Sequence, residues 1–308
     1  MQRTLKNRRR LSLTLQENWQ PYLFLLPTLI YFAVFHYAVM YGVQIAFKKY
    51  IAIKGIWGSD WVGLEHFERL FSSYQFPILL KNTILLSVEN LLIGFPIPIV
   101  FALLLNQIKN AKLKKIVQNV TYAPYFMSTI VIVSILNAMT NLDSGFVNYV
   151  LAALGQEKIL FMGEAGWFRP LYIISEIWQK TGWDSIIYVA ALAAVSPELH
   201  EAAMVDGANK PQRILHIDLP SLVPTIIVLF ILRSGQIMKL GFEKAYLMQN
   251  ALNLDASEII STYVYKMGIQ QAQFSFASAA ELFNSVINVV LIVIVNTISR
   301  KVGETSLW

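Results

Sequence analysis

Ser196-Pro197-Glu198-Leu199-His200-Glu201-Ala202-Ala203-Met204-Val205-Asp206-Gly207-Ala208, continued by Asn209-Lys210-Pro211 and closed by Ile217-Asp218-Leu219-Pro220, is a polar, hinged segment between two strongly apolar ones. Ser196 offers a hydroxyl to free N–H groups, and Pro197 is preset for the first helical position. A short helix over 197–206 is therefore expected, with Leu199, Ala202 and Ala203 on one side. Gly207 is free to take a left-handed backbone and turn the chain. A second short helix is expected from about Asn209, carrying Ile214, Leu215 and Ile217 and stopped by Pro220. The product is a bent helix–turn–helix that presents Glu201, Asp206, Lys210 and Arg213 to water.

The flanks decide where such a bend sits. Of 308 residues, 56% are hydrophobic and 14% charged, whereas a soluble domain is roughly 25% charged. A formal charge of +6 would suit nucleic acid. The basic residues instead cluster beside apolar runs (Arg8-Arg9-Arg10, Lys112 with Lys114-Lys115, Arg300-Lys301), as the positive-inside bias of membrane proteins requires, so no nucleic-acid partner is expected. The chain has no cysteine, and its four histidines lack ligand spacing, so neither disulfide nor metal site is expected. It carries no phosphate-cradling glycine loop and no nucleophile elbow, and is read as neither an enzyme nor a nucleotide binder.

The expected fold is an all-α integral membrane protein with six transmembrane helices. Residues 1–20 form a tail, 21–47 the first span, 48–80 an external loop, 81–301 a core with spans two to six, and 302–308 a second tail. Tyr22 to Phe47 lacks Asp, Glu, Lys and Arg and exceeds what a hydrocarbon core about 30 Å thick demands. It reads as a span, not a cleavable signal. The second span, about Asn82–Asn106, should kink at Gly94-Phe95-Pro96. The others are expected at about Ile116–Thr140, Leu171–Val195, Leu222–Leu240 and Ala279–Ser299, with the bend 196–220 between the fourth and fifth. The short basic loops then place both termini and the bend in the cytoplasm.

Glu201-Ala202-Ala203, Gly207 after three more residues, and Ile217-Asp218-Leu219-Pro220 after a further nine resemble the EAA loop of bacterial binding-protein-dependent ABC importer permeases (MetI-like transmembrane domain). Glu176-Ile177-Trp178-Gln179 with Gly182-Trp183, Val62-Gly63-Leu64-Glu65-His66-Phe67, Phe95-Pro96 and Thr262-Tyr263-Val264-Tyr265 extend the resemblance to the saccharide permeases, in their polysaccharide and lipoprotein-type branch. The resemblance implies a cytoplasmic coupling loop made by Glu201, Ala202, Ala203, Asp206, Gly207, Ala208, Arg213 and Pro220. It implies a second, homologous permease as heterodimer partner, two ATPase subunits that bind the ATP and magnesium, and an extracytoplasmic solute-binding protein. The setting would be the bacterial cytoplasmic membrane, with no cofactor in this chain. A permease for peptides or polyamines is the alternative, and a channel or membrane enzyme outside the family a more distant one.

Ionisable residues inside spans are costly and mark a bundle interior or a water-filled path. Glu176, Lys180 and Asp184 recur every fourth residue and share one helix face. Arg233 has no carboxylate three or four residues away and must pair across helices or with a ligand. Counted from Ser221 it lies about 18 Å along the fifth span. Either a salt bridge with the stripe or contact with an acidic saccharide would satisfy it. Trp178 and Trp183 are candidates for stacking on sugar rings or for lipid-facing packing, and Glu89 and Asn284 for lining the same path.

Overall fold

The computed structural model describes residues 19–238 and 241–303, with side chains to Lys301. Four helices are long and apolar enough to cross a membrane: α1 (Trp19–Phe47), α2 (Phe76–Asn106), α7 (Lys210–Ser234) and α8 (Phe274–Lys301). Two bent pairs supply the rest: α3 (Ala111–Phe126) with α4 (Thr129–Thr140), and α5 (Ala165–Ala193) with α6 (Pro197–Val205). The count is four, or six if each pair is one span. Of the expected tails, residues 1–18 and 304–308 fall outside the described residues, and Trp19 and Gln20 already belong to α1.

Three expectations need correction. The third span is not one helix: α3 and α4 meet at 102°. Pro124 opens a tight turn of Ala123–Phe126, and Ser128 starts α4 afresh by accepting from the Val131 N–H. Pro220 does not stop a helix. Ile214–Asp218 winds as a π-turn that closes with the Leu219 N–H on the Ile214 carbonyl. The regular helix then restarts with Pro220 in its first turn, where a missing N–H breaks nothing. The fifth span is consequently displaced from Leu222–Leu240 to Lys210–Ser234. In α2 the expected irregularity is another π-turn, Asn90–Gly94, directly ahead of Pro96.

The middle of the molecule is α5. It packs on the second half of α2, on α3, and on α7, while α7 packs on α8 and the end of α1 on α8. Gly182 permits the α5–α3 approach, because a Cβ there would sit 2.1 Å from the Thr121 carbonyl oxygen. Phe95, Ile99, Leu103, Tyr188, Leu192 and Leu222 form one apolar cluster between α2, α5 and α7. A second, around Phe168, Tyr172 and Met248, closes the other end of α5. Beyond Ser234 the chain unwinds, and side chains take over the freed backbone. Asn288 accepts from the Met238 N–H at 3.0 Å, Asn284 donates to the Met238 carbonyl at 3.1 Å, and Ser87 donates to that of Ile237. Irregular backbone within a helical bundle persists only when satisfied in this way. Residues Trp19 to Met40 of α1 are exposed throughout, and so touch little of this chain.

Candidate functional site

The bend has the expected shape and better caps than expected. Ser196 Oγ accepts from the Glu198 N–H, starting α6. At its end Gly207 has φ +82°, the Gly207 N–H bonds the Met204 carbonyl and the Ala208 N–H the Ala203 carbonyl at 2.8 Å. These are the two bonds of a Schellman ending. Asn209 and Gln212 then form a reciprocal capping box that opens α7. Glu201, Ala202, Asp206, Lys210 and Pro220 are exposed, and Ala203 and Ala208 half-buried. Arg213 departs from expectation: it is half-buried, its Nε shut off from solvent. Apolar side chains are left uncovered beside them, with Val205 89% exposed and Leu199, Met204 and Leu215 more than half exposed. Asp218 ties the bend to the bundle. It is fully buried; Gln107, just past α2, donates to its Oδ2 at 3.2 Å, and His200 Nε2 of α6 approaches Oδ1 at 3.3 Å without hydrogen-bond alignment.

The second feature is a charged cleft where α2, α5 and the end of α7 meet. Its walls include Ser87, Asn90, Glu176, Lys180, Thr181, Asp184, Arg233 and Gln236, around a cavity of about 160 Å³. A larger cavity of about 590 Å³ shares Asp184, Arg233, Pro98 and Gln236 and adds Phe95, Trp183 and Tyr188. Arg233 finds its partner across helices, in Asp184, and its guanidinium lies 5.9 Å from the Phe95 ring centre. Glu176 is held twice, by Lys180 one turn along α5 and by Lys244 from Phe242–Met248 at 3.0 Å.

The remaining sequence candidates separate. Trp183 stacks on Tyr125, with ring centres 4.5 Å apart, and borders the larger cavity. Trp178 lines neither cavity and is half exposed. Glu89 pairs with Arg169 on α5, outside both linings, and Asn284 is committed to the Met238 backbone. Lys244 was not anticipated. It lies between the expected fifth and sixth spans, and its partner is 68 residues away, beyond any periodicity. Gln107, His200 and Asp218 were equally hidden; the only hint was a carboxylate inside an otherwise apolar run. Among the described residues no cluster of His, Asp or Glu is placed to hold a metal ion.

Comparison with known proteins bears on the whole chain. The family described as binding-protein-dependent transport system inner membrane component matches residues 94–304. The polygalacturonan/rhamnogalacturonan transport system permease protein YteP of Bacillus subtilis is 44% identical, over 98% of this chain and 94% of the relative. Protein LplB of the same organism is also 44% identical, over 93% and 90%. Among solved structures, a chain of a bacterial ABC transporter involved in the import of the acidic polysaccharide alginate superposes with a TM-score of 0.88. It is 39% identical, over 96% of this chain and 99% of that one.

Proposed function

The chain belongs to the family of binding-protein-dependent transport system inner membrane components, multi-pass membrane proteins, and on that premise we propose how it works. It is the permease subunit of an ATP-driven importer and not itself an enzyme; its substrate is an oligosaccharide or polysaccharide fragment. The relatives of similar length that transport such substrates support this choice over peptides or polyamines: YteP for polygalacturonan or rhamnogalacturonan, and AraP of B. subtilis, 28% identical, for arabinooligosaccharides.

One observation carries the mechanism. Both ends of the bend continue into helices that reach the cleft, and the cleft's ion pair joins those two helices. Asp184 is on α5, which leads into α6; Arg233 is in the last turn of α7, which starts inside the bend. Because Pro220 does not interrupt it, α7 is a rod about 37 Å long. Displacing the bend therefore displaces Arg233. Through its exposed apolar residues Leu199, Met204 and Val205 the bend would dock in a groove on one of the two ATPase subunits. ATP-driven closure of two such subunits would move the rods and rock the spans between two states. Six spans with both termini and the bend in the cytoplasm, a homologous second permease and a solute-binding protein outside complete this reading. A similar transporter chain was solved in a complex with an alginate pentasaccharide-bound periplasmic protein, which supports the last of these.

The test is uptake into proteoliposomes that contain this chain with its partner permease, ATPases and binding protein. ATP-dependent accumulation of oligosaccharides is expected, without accumulation of peptides or polyamines; the reverse preference overturns the substrate reading. Orientation is tested in intact cells on a chain that contains no cysteine of its own. Ala111→Cys should resist an impermeant thiol reagent added outside, and ready labelling there would invert the topology.

A further inference from the structure

The charges around the cleft do not balance. Among the described residues Glu176 and Asp184 face three cations, Lys180, Arg233 and Lys244, which leaves one positive charge in excess. The three are not equivalent. Lys244 is nearly enclosed, 4% exposed, and Arg233 is committed to Asp184 and lies over Phe95. Lys180 is 45% exposed. Its carboxylate partner does not depend on it: Glu176 binds Lys180 through Oε1 and Lys244 through Oε2, so Glu176 stays neutralised and hydrogen-bonded when Lys180 lets go.

We propose that Lys180 is the residue that recognises acidic saccharides: it exchanges the Glu176 carboxylate for a sugar carboxylate in the cleft, while Arg233 and Lys244 hold the helices together. This rests on the saccharide reading above and names the substrate class within it. A lone excess charge at membrane depth is costly without an anionic partner, so the cleft favours an anion. Charge-assisted hydrogen bonds from an ammonium to a carboxylate are short and strong. The flexible four-carbon stem of lysine suits a ligand that must be passed on, where the bidentate fork of arginine suits a fixed partner. Thr181, on the same wall, keeps a buried hydroxyl without a hydrogen-bond partner among the described residues, a second polar group available to a sugar.

The experiment compares wild type, Lys180→Gln and Lys180→Arg in the complete reconstituted importer, with oligogalacturonate and a neutral galactose oligosaccharide of equal length as probes. In Lys180→Gln the KM for oligogalacturonate should rise at least about tenfold, the energy of one charge-assisted contact. Lys180→Arg should restore most of it. Assembly and thermal midpoint should stay at wild-type values, since Glu176 keeps Lys244. An unchanged KM in Lys180→Gln, or equal losses for acidic and neutral probes, overturns the assignment while leaving the saccharide reading intact. A Lys180→Gln complex that fails to assemble also overturns it, because the lysine would then be a structural counter-ion. Wild type that takes up neither probe refutes the saccharide reading itself.

Discussion

The bend lies at one end of α5 and of α7, the charged cleft along the middle of α5 and at the far end of α7, and the two are built by opposite means. The bend is local. Ser196 caps a residue two positions on, Gly207 closes on carbonyls within its own helix, and Asn209 and Gln212 cap each other. Its surface is left open. The cleft is non-local: Asp184 meets Arg233 across 49 residues, and Glu176 meets Lys244 across 68. Apart from the local Glu176–Lys180 pair, its charges are held by groups that only the finished fold brings together. A segment that must engage another protein needs its shape before it meets that protein, and short-range capping provides this. A charged site among apolar helices survives only if each charge is paired, and no single helix supplies all the partners. Substitutions that break the cleft's cross-helix pairs should therefore disturb assembly, and substitutions in the bend should disturb coupling.

The largest effect should come where α5 is pressed against α3. Gly182→Ala places a methyl carbon 2.1 Å from the Thr121 carbonyl oxygen and 2.9 Å from the Tyr122 ring. Backbone cannot step aside as a side chain does, so the cost should exceed the about 1–3 kcal/mol of ordinary overpacking. The yield of assembled complex in size-exclusion chromatography should collapse. Wild-type yield and thermal midpoint would show that α3 and α5 slide freely, and would undo the contrast between a rigid interior and a yielding bend.

Next comes the ion pair. Arg233→Gln leaves Asp184 without its partner, and Asp184→Asn does the converse. Breaking a fully buried pair costs about 3–5 kcal/mol. The side chains here are 35% and 24% exposed, so less is expected. Each single variant should lower the thermal midpoint, and the double variant Arg233→Gln with Asp184→Asn should recover most of the loss. A double variant as unstable as the sum of the singles would mean that the two charges act separately, and that no pair ties the rods.

The same contrast explains what was legible in the residues. The two caps, the glycine turn and the start of α6 follow from residue types and short spacings, and all are present. Arg233 announced a distant partner because no carboxylate stood one turn away; that the partner is Asp184 needed the packing of α5 against α7. Lys244 gave no signal, since the short mixed stretch Phe242-Glu243-Lys244-Ala245 reads as an ordinary connection between spans. Pro220 misled for a physical reason. Proline forbids a hydrogen bond to the carbonyl four residues back, but the π-turn Ile214–Asp218 had already shifted the bonding pattern ahead of it. The break in the third span has a similar origin: Pro124, in the tight turn Ala123–Phe126, and Ser128, which caps a new helix four residues later, outweigh the hydropathy that suggested a single helix.

The smallest effect on stability, and the most informative for function, belongs to Gly207. A Cβ there meets nothing within 4 Å, so space is not the constraint. The constraint is φ +82°, where an L-residue costs about 1–2 kcal/mol and a β-branched one resists most. Gly207→Val should insert and assemble at wild-type yield, because the interior contacts of α5 and α7 do not include it. The strain is relieved by opening the Schellman ending, which releases the Ala203 and Met204 carbonyls and swings α6, with Leu199 and Val205, away from its present angle to α7. ATPase activity should then persist while its stimulation by loaded binding protein, and uptake, fall together. Gly207→Asn, with a side chain that tolerates the left-handed region, should restore both in part. If Gly207→Val couples normally, the angle of the bend is not what the ATPase moves, and the rods must be driven from another contact, of which Asp218 with Gln107 is the one that already links the bend to α2.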